Sequence, residues 1–78
     1  MRIIKELTHP SCKITIFAWN QKYLIKYERN GFEQTYKISE MDVTGEQEVE
    51  ESALSEDFIQ DVLKRFKAMQ KEWQQLFI

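Results

Sequence analysis

The sequence of 78 residues is poor in the residues that break secondary structure or hold metals: it has two glycines, one proline, one cysteine and one histidine. So little glycine and proline does not fit a disordered or collagen-like chain. A lone cysteine excludes an intrachain disulfide, and with a lone histidine it provides no zinc-binding spacing. No apolar run approaches the roughly 20 residues of a membrane-spanning helix.

Motifs for catalysis are also missing. Gly31 and Gly45 have no glycine neighbours, so there is no glycine-rich phosphate loop. Cys12 at a strand start is expected to be a small buried apolar residue, and His9, before Pro10, an exposed turn residue. We therefore expect no enzymatic activity, no metal and no cofactor. One cysteine and no secretory signal favour a reducing, cytoplasmic location.

The remaining composition fits one compact domain over residues 1–78, with 42% apolar, 13% aromatic and 31% charged residues. Charge is unevenly distributed along the chain. Residues 1–39 carry a net charge of +4 and residues 40–78 a net charge of −6, for a total of −2. Because a partner responds to a local surface, this asymmetry leaves binding to a nucleic acid open.

Alternating apolar and polar residues predict strands in the first half of the chain. Asn30-Gly31 is a strong signal for a type I′ hairpin turn, and Asn20-Gln21 is a plausible second tight turn. The predicted strands cover residues 2–7, 12–19, 22–29 and 32–39.

The second half begins with an acidic connection, residues 40–54, in which Gln47–Glu50 could form a short edge strand. A helix follows over residues 55–77, with Ser55 as its N-cap. Its apolar residues recur at spacings of three and four and form one stripe: Ile59, Val62, Phe66, Met69, Trp73 and Leu76.

These elements define an α+β fold: an antiparallel β-meander of three or four strands, followed by one long C-terminal α-helix packed on one face. If both tight turns contain two residues, strand alternation assigns the two faces of the sheet. The predicted core face contains Ile14, Ile16, Ala18, Tyr23, Ile25, Tyr27, Phe32, Tyr36 and Ile38.

The opposite side of the sheet, the open face, combines lysines with aromatic rings. Lysines neutralise phosphates and aromatic rings stack on bases, a combination that suits single-stranded DNA or RNA. The candidate binding residues are Lys13, Phe17, Trp19, Lys22, Lys26 and Lys37. In the alternative interpretation, residues 40–54 or a partner chain cover the two aromatic rings.

This layout resembles the single-stranded-DNA-binding transcriptional coactivators of the positive-cofactor-four type and their Whirly relatives. Lys13-Ile14-Thr15-Ile16 and Lys22-Tyr23-Leu24-Ile25 are similar to the basic, alternating strands of that family. The resemblance implies a sheet face that binds single strands and helices that contribute to a homodimer. The family's glycine-rich stretch before the last strand has no counterpart here beyond Asn30-Gly31. The layout is also similar to that of short bacterial proteins without an assigned function.

The end of the helix suggests a second kind of function. A stripe that runs on to Leu76 and Phe77 is longer than one small sheet needs. The distal residues Trp73, Leu76 and Phe77 either pack within the chain or form an interface with a second chain, in a homodimer or with another protein.

Overall fold

A computed structural model describes residues 1–77 as a four-stranded antiparallel sheet with two helices, which confirms the α+β class. The sheet order is β1-β2-β3-β4, a simple meander. The elements are β1 (Arg2–His9), β2 (Cys12–Trp19), β3 (Lys22–Arg29), β4 (Phe32–Ser39), a short 3₁₀ helix (Glu40–Asp42), α1 (Glu46–Ala53) and α2 (Glu56–Gln75).

The two predicted tight turns both contain two residues. Asn20 and Gln21 have φ of 52° and 63°, and Asn30 and Gly31 have φ of 52° and 83°, as a type I′ turn requires. The register follows from these turns, with Trp19 opposite Lys22 and Arg29 opposite Phe32. The predicted assignment of side chains to the two faces of β2, β3 and β4 is therefore confirmed.

β1 is two residues longer than predicted and ends at His9. His9 pairs with Cys12, so only Pro10 and Ser11 form the turn. The expectation that His9 is an exposed turn residue was wrong, since its side chain is 16% exposed. The register of β1 with β2 shifts between Ile3 and Lys5, which marks a β-bulge.

The acidic connection is the main correction to the predicted elements. Instead of an edge strand at Gln47–Glu50, the chain forms α1 over Glu46–Ala53. Val49 and Ala53 lie four residues apart on one helix face and are fully buried in the core. Before α1, the carboxylate of Glu48 accepts hydrogen bonds from the amide and hydroxyl of Thr44, which lowers the pKa of Glu48.

The core lies between one face of the sheet and the two helices. Every residue predicted for the core face is buried or packs against the buried cluster. From α2, the first half of the apolar stripe enters this core, with Ile59, Val62 and Phe66 buried. Ser55 is the N-cap residue of α2, although its side chain makes no capping hydrogen bond.

Two side chains of the sheet donate hydrogen bonds to the helices. The Tyr27 hydroxyl donates to the carbonyl oxygen of Ala53 at 2.8 Å, and the Gln34 amide donates to the carbonyl oxygen of Val62 at 2.9 Å. Ala53 is the last residue of α1, where carbonyl groups lack intrahelical partners. Tyr27 therefore satisfies a buried acceptor and fixes the end of α1 on the sheet.

The distal end of α2 lies at the margin of this core. Trp73 contacts Phe32 of β4 edge to face, with ring centroids 6.3 Å apart, and Phe77 at 4.9 Å. Trp73 is 50% exposed, and Leu76 and Phe77 are 76% and 73% exposed. The stripe thus packs against the core as far as Met69, and beyond it Trp73 keeps a contact with the sheet at Phe32.

Candidate nucleic-acid interface

All six predicted binding residues belong to the open face, because helices α1 and α2 pack on the other side of the sheet. The register brings neighbours together across the strands. Phe17 lies opposite Leu24, and Leu24 lies opposite Lys37. Trp19 lies opposite Lys22 next to the Asn20-Gln21 turn.

The two aromatic residues differ in exposure. Trp19 is 48% exposed, so much of its indole ring is accessible for stacking. Phe17 is half-buried, and the ammonium group of Lys26 lies 5.5 Å from the centroid of its ring. The Phe17 ring is thus already engaged by Lys26 in a cation–π contact. Trp19 is therefore the more accessible of the two rings for stacking on a base.

The four lysines also fall into two groups. Lys13 lies 3.9 Å from the carboxylate of Glu6, and Lys26 lies 3.5 Å from Glu28 and 3.9 Å from Glu33. Within residues 1–77, no carboxylate lies within 4 Å of Lys22 or Lys37. The two lysines without a close ion pair thus include Lys22 beside Trp19, where Glu40 and Glu46 line the same cavity.

Residues 40–54 do not cover this face, contrary to the alternative interpretation. α1 packs on the core side, and its acidic residues pair with β1. Glu46 lies 3.7 Å from Arg2, and Glu50 lies 3.6 Å from Lys5. The acidic helix α1 therefore partly neutralises the core side of β1, and Glu40 and Glu46 approach the open face at the cavity that Trp19 and Lys22 line.

Two residues of the open face are buried although both helices pack on the other side of the sheet. Thr15 is 3% exposed between Glu6 and Lys26, and Leu24 is 6% exposed between Phe17 and Lys37. Their longer neighbours shield them, which alternation alone does not reveal. No sequence signal distinguished Leu24 from its exposed neighbours on the same face.

Cys12 and His9 are adjacent across β1 and β2, but their surroundings do not activate the thiol. Cys12 is buried as predicted, and burial raises its pKa. The Ser11 amide donates to Nδ1 of His9 at 3.0 Å, and Nε2 of His9 lies 3.5 Å from the Glu56 carboxylate. Both imidazole nitrogens are thus engaged away from the sulfur, and a reactive cysteine needs the opposite arrangement.

Comparison with known proteins yields no relative. No family model, curated protein or solved structure matches this chain. Within residues 1–77, no three histidine, cysteine, aspartate or glutamate side chains are grouped as a metal site requires. Over the same residues, neither helix has both the length and the apolar composition to cross a bilayer.

Proposed function

We propose that the protein is a small non-enzymatic module that binds single-stranded nucleic acid through the Trp19 end of its open face. The observation that carries the proposal is the half-exposed indole of Trp19, whose cross-strand neighbour on the open face is Lys22. A base stacked on an aromatic ring contributes about 1–3 kcal/mol, and a lysine beside the ring binds the neighbouring phosphate.

Ion pairs within the chain favour two of the four lysines as phosphate contacts. Lys13 and Lys26 already pair with carboxylates, so a phosphate must compete with Glu6, Glu28 and Glu33 for them. Within residues 1–77, Lys22 and Lys37 have no carboxylate within 4 Å, although Glu40 and Glu46 line the cavity that contains Lys22. With a net charge of −2, the protein has no long-range attraction to a polyanion, so the contact depends on this local group.

Replacing a single lysine with the uncharged glutamine tests the proposal. Lys22→Gln is expected to weaken binding to a labelled thymidine oligonucleotide of about 16 nucleotides. It is also expected to reduce the slope of log affinity against log salt by about 0.7, the value for one phosphate contact on a single strand. Fluorescence anisotropy at several salt concentrations measures both quantities.

The matched control is Lys13→Gln, which removes the same charge from a lysine that is already paired with Glu6. Its effect on affinity and on the salt slope is expected to be clearly smaller. Equal effects of the two variants would show that binding follows net charge and would contradict a site at Trp19.

A protein-interaction surface at the end of α2 is the second candidate function. Trp73, Leu76 and Phe77 are each at least half exposed, and they form a contiguous apolar group at the end of the helix. Clusters of exposed aromatic and aliphatic side chains are typical of protein contacts.

A further inference from the structure

The outer edge of β4 is regular and unpaired. Within residues 1–77, β4 has β3 on one side and no strand on the other. Its register with β3 continues without a bulge, and it contains no proline. β1, the other edge, is interrupted by the bulge between Ile3 and Lys5. Bulges and prolines prevent edge strands from pairing with other chains, and β4 has neither.

The turn next to β4 determines which backbone groups point outward. In a two-residue hairpin the residues flanking the turn, here Arg29 and Phe32, exchange both backbone hydrogen bonds, and every second pair does the same. The Glu40 amide donates to the Gln21 carbonyl oxygen at 3.1 Å, which fits this alternation at the far end of the hairpin. The amide and carbonyl groups of Glu33, Thr35 and Lys37 therefore point away from β3.

We propose that two copies of the chain pair antiparallel along β4, with Thr35 facing Thr35 of the second copy across a two-fold axis. This register matches residues whose backbone groups both point outward, so each pair can exchange two hydrogen bonds. It also places Glu33 opposite Lys37 of the second copy, twice by symmetry. Opposite charges in facing positions stabilise a strand pair. In other registers, or with other strands, Glu33 and Lys37 would not face opposite charges, so those pairings are less favourable.

The core side of the sheet provides apolar contacts for the same arrangement. In this register Phe32 lies opposite Ile38 of the second copy. Ile38 borders an apolar cleft between β3, β4 and the two helices, lined by Ile25, Tyr27, Tyr36, Ile38, Ser52 and Phe58. Trp73 packs on Phe32, so the exposed end of α2 is directed toward the Ile38 end of the second copy. The dimer thus brings the half-exposed Trp73 to the side of the cleft that Ile38 of the second copy borders.

The pairing would create one sheet of eight strands with both open faces on the same side. Lys37 of each copy would pair with Glu33 of the other and would no longer be free to bind a phosphate, so the nucleic-acid site would keep Trp19 and Lys22. Trp19 and Lys22, on β2 and β3, lie away from the paired edge and remain accessible. The inference therefore does not depend on nucleic-acid binding, and either one can fail without the other.

A charge exchange tests the register. Lys37→Glu would put glutamate opposite glutamate twice, and it is expected to raise the dimer dissociation constant about ten-fold or more in sedimentation experiments. Combining it with Glu33→Lys restores opposite charges and is expected to restore the dimer. Lys22→Glu has the same change in charge on the inner strand β3 and is expected to leave the dimer intact. Circular dichroism verifies that each variant is folded.

Three results would overturn the inference. The first is a wild-type chain that sediments as a 9.5 kDa monomer even at about 1 mM. The second is a dimer that Lys37→Glu weakens but the double exchange does not restore. The third is a dimer that survives Lys37→Glu and dissociates in the double variant Trp73→Ala, Phe77→Ala, which would place the interface at the end of α2 alone.

Discussion

Replacing Phe66 with alanine is expected to lower the free energy of unfolding by about 3–5 kcal/mol. Phe66 is 3% exposed and lies in the centre of the stripe by which α2 packs on the sheet. The substitution removes a large apolar side chain from water-free surroundings and leaves a cavity. A domain of this size has a free energy of unfolding of roughly 4–12 kcal/mol in total. The expected loss is therefore a large fraction of the total. Urea denaturation measures the change.

Phe77→Ala is the matched control, since it makes the same chemical change 11 residues further along the chain. Phe77 is 73% exposed, so its replacement is expected to change stability by less than about 0.5 kcal/mol. A loss of under about 1 kcal/mol for Phe66→Ala would mean that α2 is not packed on the sheet as described.

Tyr27→Phe is expected to cost about 1–3 kcal/mol although it removes only one oxygen atom. The hydroxyl is the donor to the buried carbonyl oxygen of Ala53, and phenylalanine leaves that acceptor without a partner. Burial raises the pKa of Tyr27, so the hydroxyl remains a donor at physiological pH. The measurement is again the free energy of unfolding in urea.

Tyr23→Phe is the matched control. It also removes a tyrosine hydroxyl, but not the hydrogen bond between Tyr27 and Ala53. Tyr23 is on the same strand and the same face and is nearly as buried, and its hydroxyl has no hydrogen-bond partner within residues 1–77. Its replacement is expected to change stability by less than about 0.5 kcal/mol. Equal effects of the two variants would contradict a role for Tyr27 in holding α1.

The sheet was predictable because its signals are local. The two turns, at Asn20 and Asn30, were predicted independently, and both place the apolar residues of the strands on the same side of the sheet. The core face could therefore be predicted from the sequence alone. The bulge in β1 was not predictable in this way. It depends on how Ile3 and Lys5 meet β2, and the short segment before His9 contains no turn residue that marks it.

α1 was missed because its apolar signal is small. Only Val49 and Ala53 enter the core, while its glutamates gave the segment the composition of a solvated connection. The spacing of four between these two residues was the signal available. The pairing of Lys13 with Glu6 could not be predicted either, because it depends on the register of β1, whereas the pairing of Lys26 with Glu28 and Glu33 lies within the predicted β3–β4 hairpin.

The most direct measurement of the central claim uses Trp19 as its own reporter. In a Trp73→Phe variant it is the single tryptophan, and thymidine oligonucleotide is titrated in at low salt while its emission is recorded. If a base stacks on the indole, emission is quenched to saturation, and the apparent affinity falls as salt is added. Emission that stays constant over the whole titration at low salt would contradict a nucleic-acid site at this end of the sheet.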